Sequence, residues 1–110
     1  MEWIEKLNGN IIVSDAVGKI IYMNERALSS YEKEGGKDLI GRNIMDCHNE
    51  SSMQKIKEIM TTFKSNVYTI EKKGRKKIIY QSPWFKDDVF RGIIEFSLEI
   101  PYEMPHFIRG

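Results

Sequence analysis

The spacing of hydrophobic residues changes along the chain, from strand-like to helical and back to strand-like. Short β-branched stretches at 11–14 and 19–23 predict two strands joined as a hairpin by the turn at 15–18. Between 50 and 64, apolar side chains recur every three or four residues, which is typical of an amphipathic helix. The same helix has Lys and Glu on its outer face, so we expect it to cover a core from one side.

Beyond residue 66 the alternation returns and predicts three antiparallel strands separated by tight turns. The strands cover 67–72, 75 or 76 to 85, and 89–100. In the last one, Phe90, Ile94 and Phe96 alternate with polar positions, which indicates that one face is buried. Because the first hairpin needs these strands to form a core, the predicted fold class is α+β: a five-stranded antiparallel sheet with helices packed on one face.

Shorter helical segments fill the remaining positions. Residues 2–8 place Trp3, Ile4 and Leu7 on one helical face, and Asn24 is a candidate N-cap for a helix that follows it. We expect three parts: an N-terminal helical cap at 1–8, one domain at 9–101 and a C-terminal tail at 102–110.

Composition excludes several classes of protein. The 110 residues are enough for one core, with 41% hydrophobic and 30% charged residues. No apolar run approaches the roughly 20 residues of a membrane span, and the N-terminus does not resemble a signal peptide. A net charge of +1 disfavours nucleic-acid binding. The single cysteine fits a reducing cytoplasm, which is the predicted location.

Several motifs, taken in order, resemble those of PAS domains. The first is Asp15-x-x-Gly18-x-Ile20-x-Tyr22-x-Asn24, in which a strand, a turn and a second strand lead to a helix-starting Asn. The later ones are Asp38-Leu39-Ile40-Gly41-Arg42-Asn43, Trp84-Phe85-Lys86-Asp87-Asp88 with Gly92-Ile93-Ile94, and Glu99-Ile100-Pro101. A narrower resemblance, to a subset with an Asp-Cys-His segment, rests on Met45-Asp46-Cys47-His48-Asn49.

The resemblance implies a sensor or signalling domain that holds a small molecule between sheet and helices. It also implies a homodimer and a signalling output partner; since the sequence contains no output domain, we expect a stand-alone subunit or a piece of a longer protein. No photoactive flavin is predicted, because the residues around Cys47 differ from the Asn-Cys-Arg-Phe-Leu-like segment of the flavin photoreceptors.

Cys47 and His48 are the residues best suited to chemistry. His48 is a candidate axial ligand of haem, and haem is the leading candidate cofactor. Cys47 is a candidate redox-sensing thiol just before the long helix. The alternative is structural: Cys47 as a small buried apolar residue and His48 as a residue flanking the helix cap. Tail residues Met104 and His106 are weaker ligand candidates.

The predicted cofactor pocket is lined by His48, Met53, Tyr80 and Phe96. Met53 lies on the apolar stripe of the long helix, and Tyr80 alternates with Ser82 and Trp84 along one strand face. Such residues equally suit a filled core or a dimer surface, so a ligand-free interaction module is the alternative function and a thiol redox sensor is another.

Catalysis is not predicted. Adjacent Cys and His side chains rarely meet in the geometry of a nucleophile–base pair, and the sequence contains no phosphate loop or nucleophile elbow. The basic cluster at 72–77 is predicted to be a solvated hairpin tip, with contact to an acidic partner or a phosphate backbone as its alternative.

Overall fold

The computed structural model describes residues 1–47 and 50–110, and its main feature is one five-stranded antiparallel sheet. The strands are β1 Asn10–Ser14, β2 Ile20–Met23, β3 Asn66–Lys72, β4 Arg75–Lys86 and β5 Val89–Ile100. Their order across the sheet is β2-β1-β5-β4-β3. The first hairpin therefore joins the last three strands through β1 and β5, which confirms the predicted fold class.

Within residues 1–47 and 50–110, three α-helices and three short 3₁₀ segments connect and cover the strands. The helices are α1 Glu2–Glu5, α2 Glu25–Ser30 and α3 Glu50–Thr62; the 3₁₀ segments are Glu32–Glu34, Gly36–Leu39 and Ile44–Cys47. Helix α1 is shorter than the helix predicted over residues 2–8. Helix α3 ends before Phe63, whose φ of 58° is left-handed and cannot continue the helix. No described helix has the length and apolar character needed to cross a membrane.

The core lies between α3 and one face of the sheet, which we call the inner face. Ile56 and Ile59 of α3 pack against Ile12 of β1 and Ile93 of β5. All four are at most 5% exposed, so the centre of this interface is closely filled.

The two faces of β5 differ from the sequence expectation. Phe90 packs against the core, but Ile94 and Phe96 lie on the opposite, outer face. The alternation changes phase because the β4–β5 register is irregular between Trp84 and Phe85, close to Gly92. As a result, the inner face of β5 beyond Ile93 carries the polar residues Glu95 and Ser97.

Candidate ligand site between helix α3 and the sheet

A buried polar cluster occupies the inner face of the sheet. Nε2 of Gln81 donates a hydrogen bond of 2.7 Å to Oε2 of Glu95, and Nδ2 of Asn66 donates one of 3.0 Å to Oε1 of Gln81. Gln81 is 1% exposed and Glu95 6%. The three side chains thus form a hydrogen-bonded row across three neighbouring strands.

Strand register produces this row. Asn66 lies opposite Gln81 in the β3–β4 pair, and Gln81 lies opposite Glu95 in the β4–β5 pair. Directly opposed residues point to the same side of a sheet, with their Cβ atoms about 5 Å apart. On β1, Ile12 lies opposite Glu95 and belongs to the core, which places the row on the inner face.

Tyr68 and Lys55 border the cluster. Tyr68 lies two residues after Asn66 on the same face of β3, and Nζ of Lys55 in α3 is 4.9 Å from the centre of its ring. Burial raises the pKa of the Tyr68 phenol above its usual value, and the negative charge of Glu95 raises it further. The phenol therefore remains protonated and available as a hydrogen-bond donor at neutral pH.

The cluster combines a carboxylate, two amides, a phenol and an ammonium group at a helix–sheet interface. Burying a carboxylate and an amide contributes less to stability than well-packed apolar side chains of similar size would. Departures of this kind from a purely apolar interior are common at functional sites. Every buried polar side-chain atom of the described cluster already has a partner, so a polar ligand would have to replace one of these hydrogen bonds.

The predicted pocket residues do not all lie on this side of the sheet. Tyr80 and Phe96 are directly opposed in the β4–β5 pair, and both are on the outer face. Met53 is half-buried on α3, on the other side of the sheet. Because alternate residues of a strand face opposite ways, Tyr80 and Phe96 cannot share one cavity with Met53.

Phe96 instead lines an apolar groove on the outer face, with a volume of about 460 Å³. Helix α1 forms one wall of this groove through Trp3, Ile4 and Leu7, and Ile94 is part of its floor. Trp3 is 69% exposed, so the rim is apolar and open to solvent.

Two of the predicted residues are incompletely described. His48 lies outside the described residues. Of Cys47 the structure gives only the backbone, at the end of the 3₁₀ segment Ile44–Cys47. In the described part of the chain, no three His, Cys, Asp or Glu side chains come together as metal ligands. The proposed haem-ligand and redox roles of His48 and Cys47 stay predictions.

Sequence reasoning did not select Asn66, Tyr68, Gln81 or Glu95. One signal was available: Glu95 interrupts the otherwise apolar run Gly92–Phe96 in the middle of the longest strand. A charged residue at the centre of a central strand needs a partner or a function. Its neighbours in the cluster depend on strand register, which a single sequence does not provide.

No protein-family model and no curated protein sequence matches this chain. Solved structures do resemble it. A sensory box sensor histidine kinase from Vibrio cholerae superposes with a TM-score of 0.68 at 17% identity, covering 91% of this chain and 88% of that one. The PAS domain of histidine kinase ThkA gives 0.64 at 20% identity, covering 81% and 97%.

A third similar structure is the Aer2 receptor from Vibrio cholerae, described as a dual PAS–haem oxygen sensor. Its TM-score is 0.61 at 17% identity, and the match covers 84% of this chain and 95% of that one. The molecule is thus an α+β domain. Its fold is that of PAS domains, as the sequence motifs predicted.

Proposed function

We propose that this PAS-fold domain is a signalling sensor that binds a small polar molecule between helix α3 and the inner face of the sheet. The supporting observation is the buried row of Asn66, Gln81 and Glu95, bordered by Tyr68 and Lys55. The similar structures include sensor domains of histidine kinases, which favours a sensing role over catalysis.

Ligand binding at this site would act on α3. Lys55 extends from α3 over Tyr68, and Ile56, the next residue, packs in the core. A molecule that replaces the Gln81–Glu95 or Lys55–Tyr68 contact changes how α3 sits on the sheet. It can shift the population of conformations only by the difference in its affinity for them. An output protein that contacts α3 or the sheet would detect that shift.

Native mass spectrometry of the freshly purified chain tests the proposal, because it reports the mass of a retained molecule. We expect an additional mass in the wild type that is lost in Gln81→Leu and in Glu95→Gln. Ser82→Ala is the matched control, since Ser82 follows Gln81 on β4 but faces the other side. Equal retention in all three variants would place the molecule elsewhere and contradict the proposal.

Haem is a second candidate ligand, favoured by the similarity to the Aer2 receptor. The described residues fit it poorly: Ile56, Ile59 and Ile93 pack together where a flat macrocycle would lie, and the adjacent surface carries Glu95. Haem would supply a gas-binding iron, and His48 is the residue we propose as its protein ligand. Expression with haem supplied should then give a Soret band that His48→Ala removes or shifts; protein without the band excludes haem.

An interaction module is the second candidate function, with a homodimer as the proposed assembly. The exposed Trp3 beside the apolar groove under α1 favours it, because exposed aromatic residues are enriched in interfaces. Light scattering should show a dimer that Trp3→Asp converts to a monomer. Val17→Asp is the control, since Val17 is 75% exposed but outside the groove. An unchanged mass for Trp3→Asp would exclude this surface as the dimer contact.

A further inference from the structure

A second cavity, separate from both the polar cluster and the apolar groove, lies where three parts of the chain meet. The loop between α1 and β1 forms one side, helix α2 another, and the ends of β4 and β5 the third. Its volume is about 570 Å³, within the usual range of small-molecule sites.

Positive charge dominates the lining. Arg26 comes from α2 and Arg75 and Lys77 come from β4, whereas Glu99 of β5 is the one acidic residue among the described residues of the lining. The Nη1 of Arg75 contacts Oε1 of Glu99 at 3.3 Å, so one cation is neutralised. At neutral pH the cavity therefore retains about two positive charges.

Lys77 is the most informative of these cations. It is half-buried, and among the described residues its ammonium has no ion-pair or hydrogen-bond partner. Glu99 lies opposite Lys77 in register, but its carboxylate contacts Arg75 instead. The Lys77 ammonium is therefore available to pair with an anion in the cavity.

Asn10 supplies an independent polar group. It is 7% exposed, and its Oδ1 accepts a 3.1 Å hydrogen bond from Oγ of Ser30. Within the described chain its Nδ2 donates to no protein acceptor. Because the described residues contain no buried polar side-chain atom without a partner, Nδ2 of Asn10 reaches the cavity, where it can donate to an acceptor oxygen of a ligand.

We propose that this cavity binds a small molecule with two negative charges on clustered oxygens, either a phosphate monoester or a dicarboxylate. Lys77 supplies a point charge and Asn10 a neutral donor. Arg26 supplies a guanidinium that already donates to Oδ1 of Asn8 through Nη2 and has further N–H groups for a ligand oxygen.

The site uses Arg75 and Lys77, which lie beside the β3–β4 turn in the basic cluster at 72–77. For this cluster the sequence favoured a solvated hairpin tip and left contact with an acidic partner or a phosphate backbone as the alternative. Glu95 is not in the lining of the site, although Ser97, two residues further along the same face of β5, is. The proposal does not depend on the sensor proposal.

An NMR titration of the isotopically labelled chain tests the site with two probes, inorganic phosphate and succinate, against sodium chloride of equal ionic strength. We expect saturable shifts at the backbone amides of Asn10, Ser30 and Ser97 with at least one probe. Saturation by phosphate alone identifies the phosphate class, and saturation by succinate alone identifies the dicarboxylate class. Shifts that do not saturate with either probe, or that chloride reproduces, overturn the proposal.

Two lysine variants make the test specific. Lys77→Ala should weaken binding at least about tenfold, as expected for loss of a hydrogen bond between charged groups. Lys76→Ala is the matched control: it removes the same charge one residue away, outside the lining, and should change affinity less than about twofold. If both variants lose the same affinity for the probe, binding depends only on the net charge of the protein, and the proposal is overturned. Glu95→Gln should bind like the wild type, which separates this result from the fate of the sensor site.

Discussion

The side-chain amide of Asn24 holds helix α1 onto the domain, because its Nδ2 donates a 3.1 Å hydrogen bond to the backbone carbonyl of Ile4. The same nitrogen donates to the carbonyl of Gly9, and Oδ1 accepts from the backbone amides of Ile11 and Ala27. Asn24 therefore caps α2 and fixes α1 and β1 with one fully buried side chain. Sequence analysis predicted the cap but not the contact to α1.

Asn24→Ala should lower the free energy of unfolding by about 3 kcal/mol, since it removes a helix cap and leaves buried backbone groups unpaired. Urea denaturation followed by circular dichroism measures this. Asn8→Ala is the control, because Asn8 is an exposed residue of the α1–β1 connection and its loss should cost less than about 1 kcal/mol. Equal effects of the two substitutions would contradict the central role of Asn24.

Gly92 allows β1 and β4 to approach β5 closely. A Cβ at this position would lie 1.9 Å from the backbone oxygen of Ser14, the atom that accepts a hydrogen bond from the Trp84 indole. Gly92→Ala should lower the free energy of unfolding by more than about 2 kcal/mol, through the clash and an unfavourable φ. Gly41→Ala is the matched control, since Gly41 has a positive φ of 99° but no atom within 4 Å of the added Cβ.

In the urea denaturation curves, Gly41→Ala should therefore show the backbone cost alone, about 1 kcal/mol. The difference between the two variants measures the close approach at Ser14. A Gly92→Ala protein as stable as Gly41→Ala would mean that β1 moves away at no cost, contrary to this structure.

The sheet was predictable from sequence because each strand carries its own local signal. Turn residues such as Gly18 and Gly74 mark where the chain reverses, and alternation marks the strands. The candidate site was not predictable, because it depends on which face meets α3. Phe96 belongs to the more apolar face of β5, yet that face lies under α1, while Glu95 faces the core. Which face of β5 meets α3 depends on the strand register and on the irregularity near Gly92.

One substitution in the β4–β5 turn should make the protein more stable. Asp87 and Asp88 have φ values of 53° and 62°, the left-handed conformation of a type I′ turn, in which Gly is preferred at the second position. In the β3–β4 turn the same position is already Gly74. Asp88→Gly should raise the free energy of unfolding by about 0.5–1 kcal/mol by removing backbone strain. A thermal midpoint that stays equal or falls would show that Asp88 makes a compensating contact.

Tyr22 joins the outer face of β2 to α1 through a 2.6 Å hydrogen bond from its hydroxyl to Oε2 of Glu5. Burial and this hydrogen bond raise the pKa of Tyr22 from 10.0 to about 12. The contact thus stabilises the fold fully below pH 10, and its contribution is lost as the pH rises towards 12, because the unfolded chain ionises first. Ultraviolet titration of the five tyrosines should show late ionisation from Tyr22 and Tyr68, whose pKa values are both raised; Tyr22→Phe should remove the Tyr22 component and Glu5→Gln should move it to lower pH. Tyr102→Phe, in the exposed tail, should leave the Tyr22 component unchanged. If all tyrosines ionise together near pH 10, Tyr22 does not hold α1 as described.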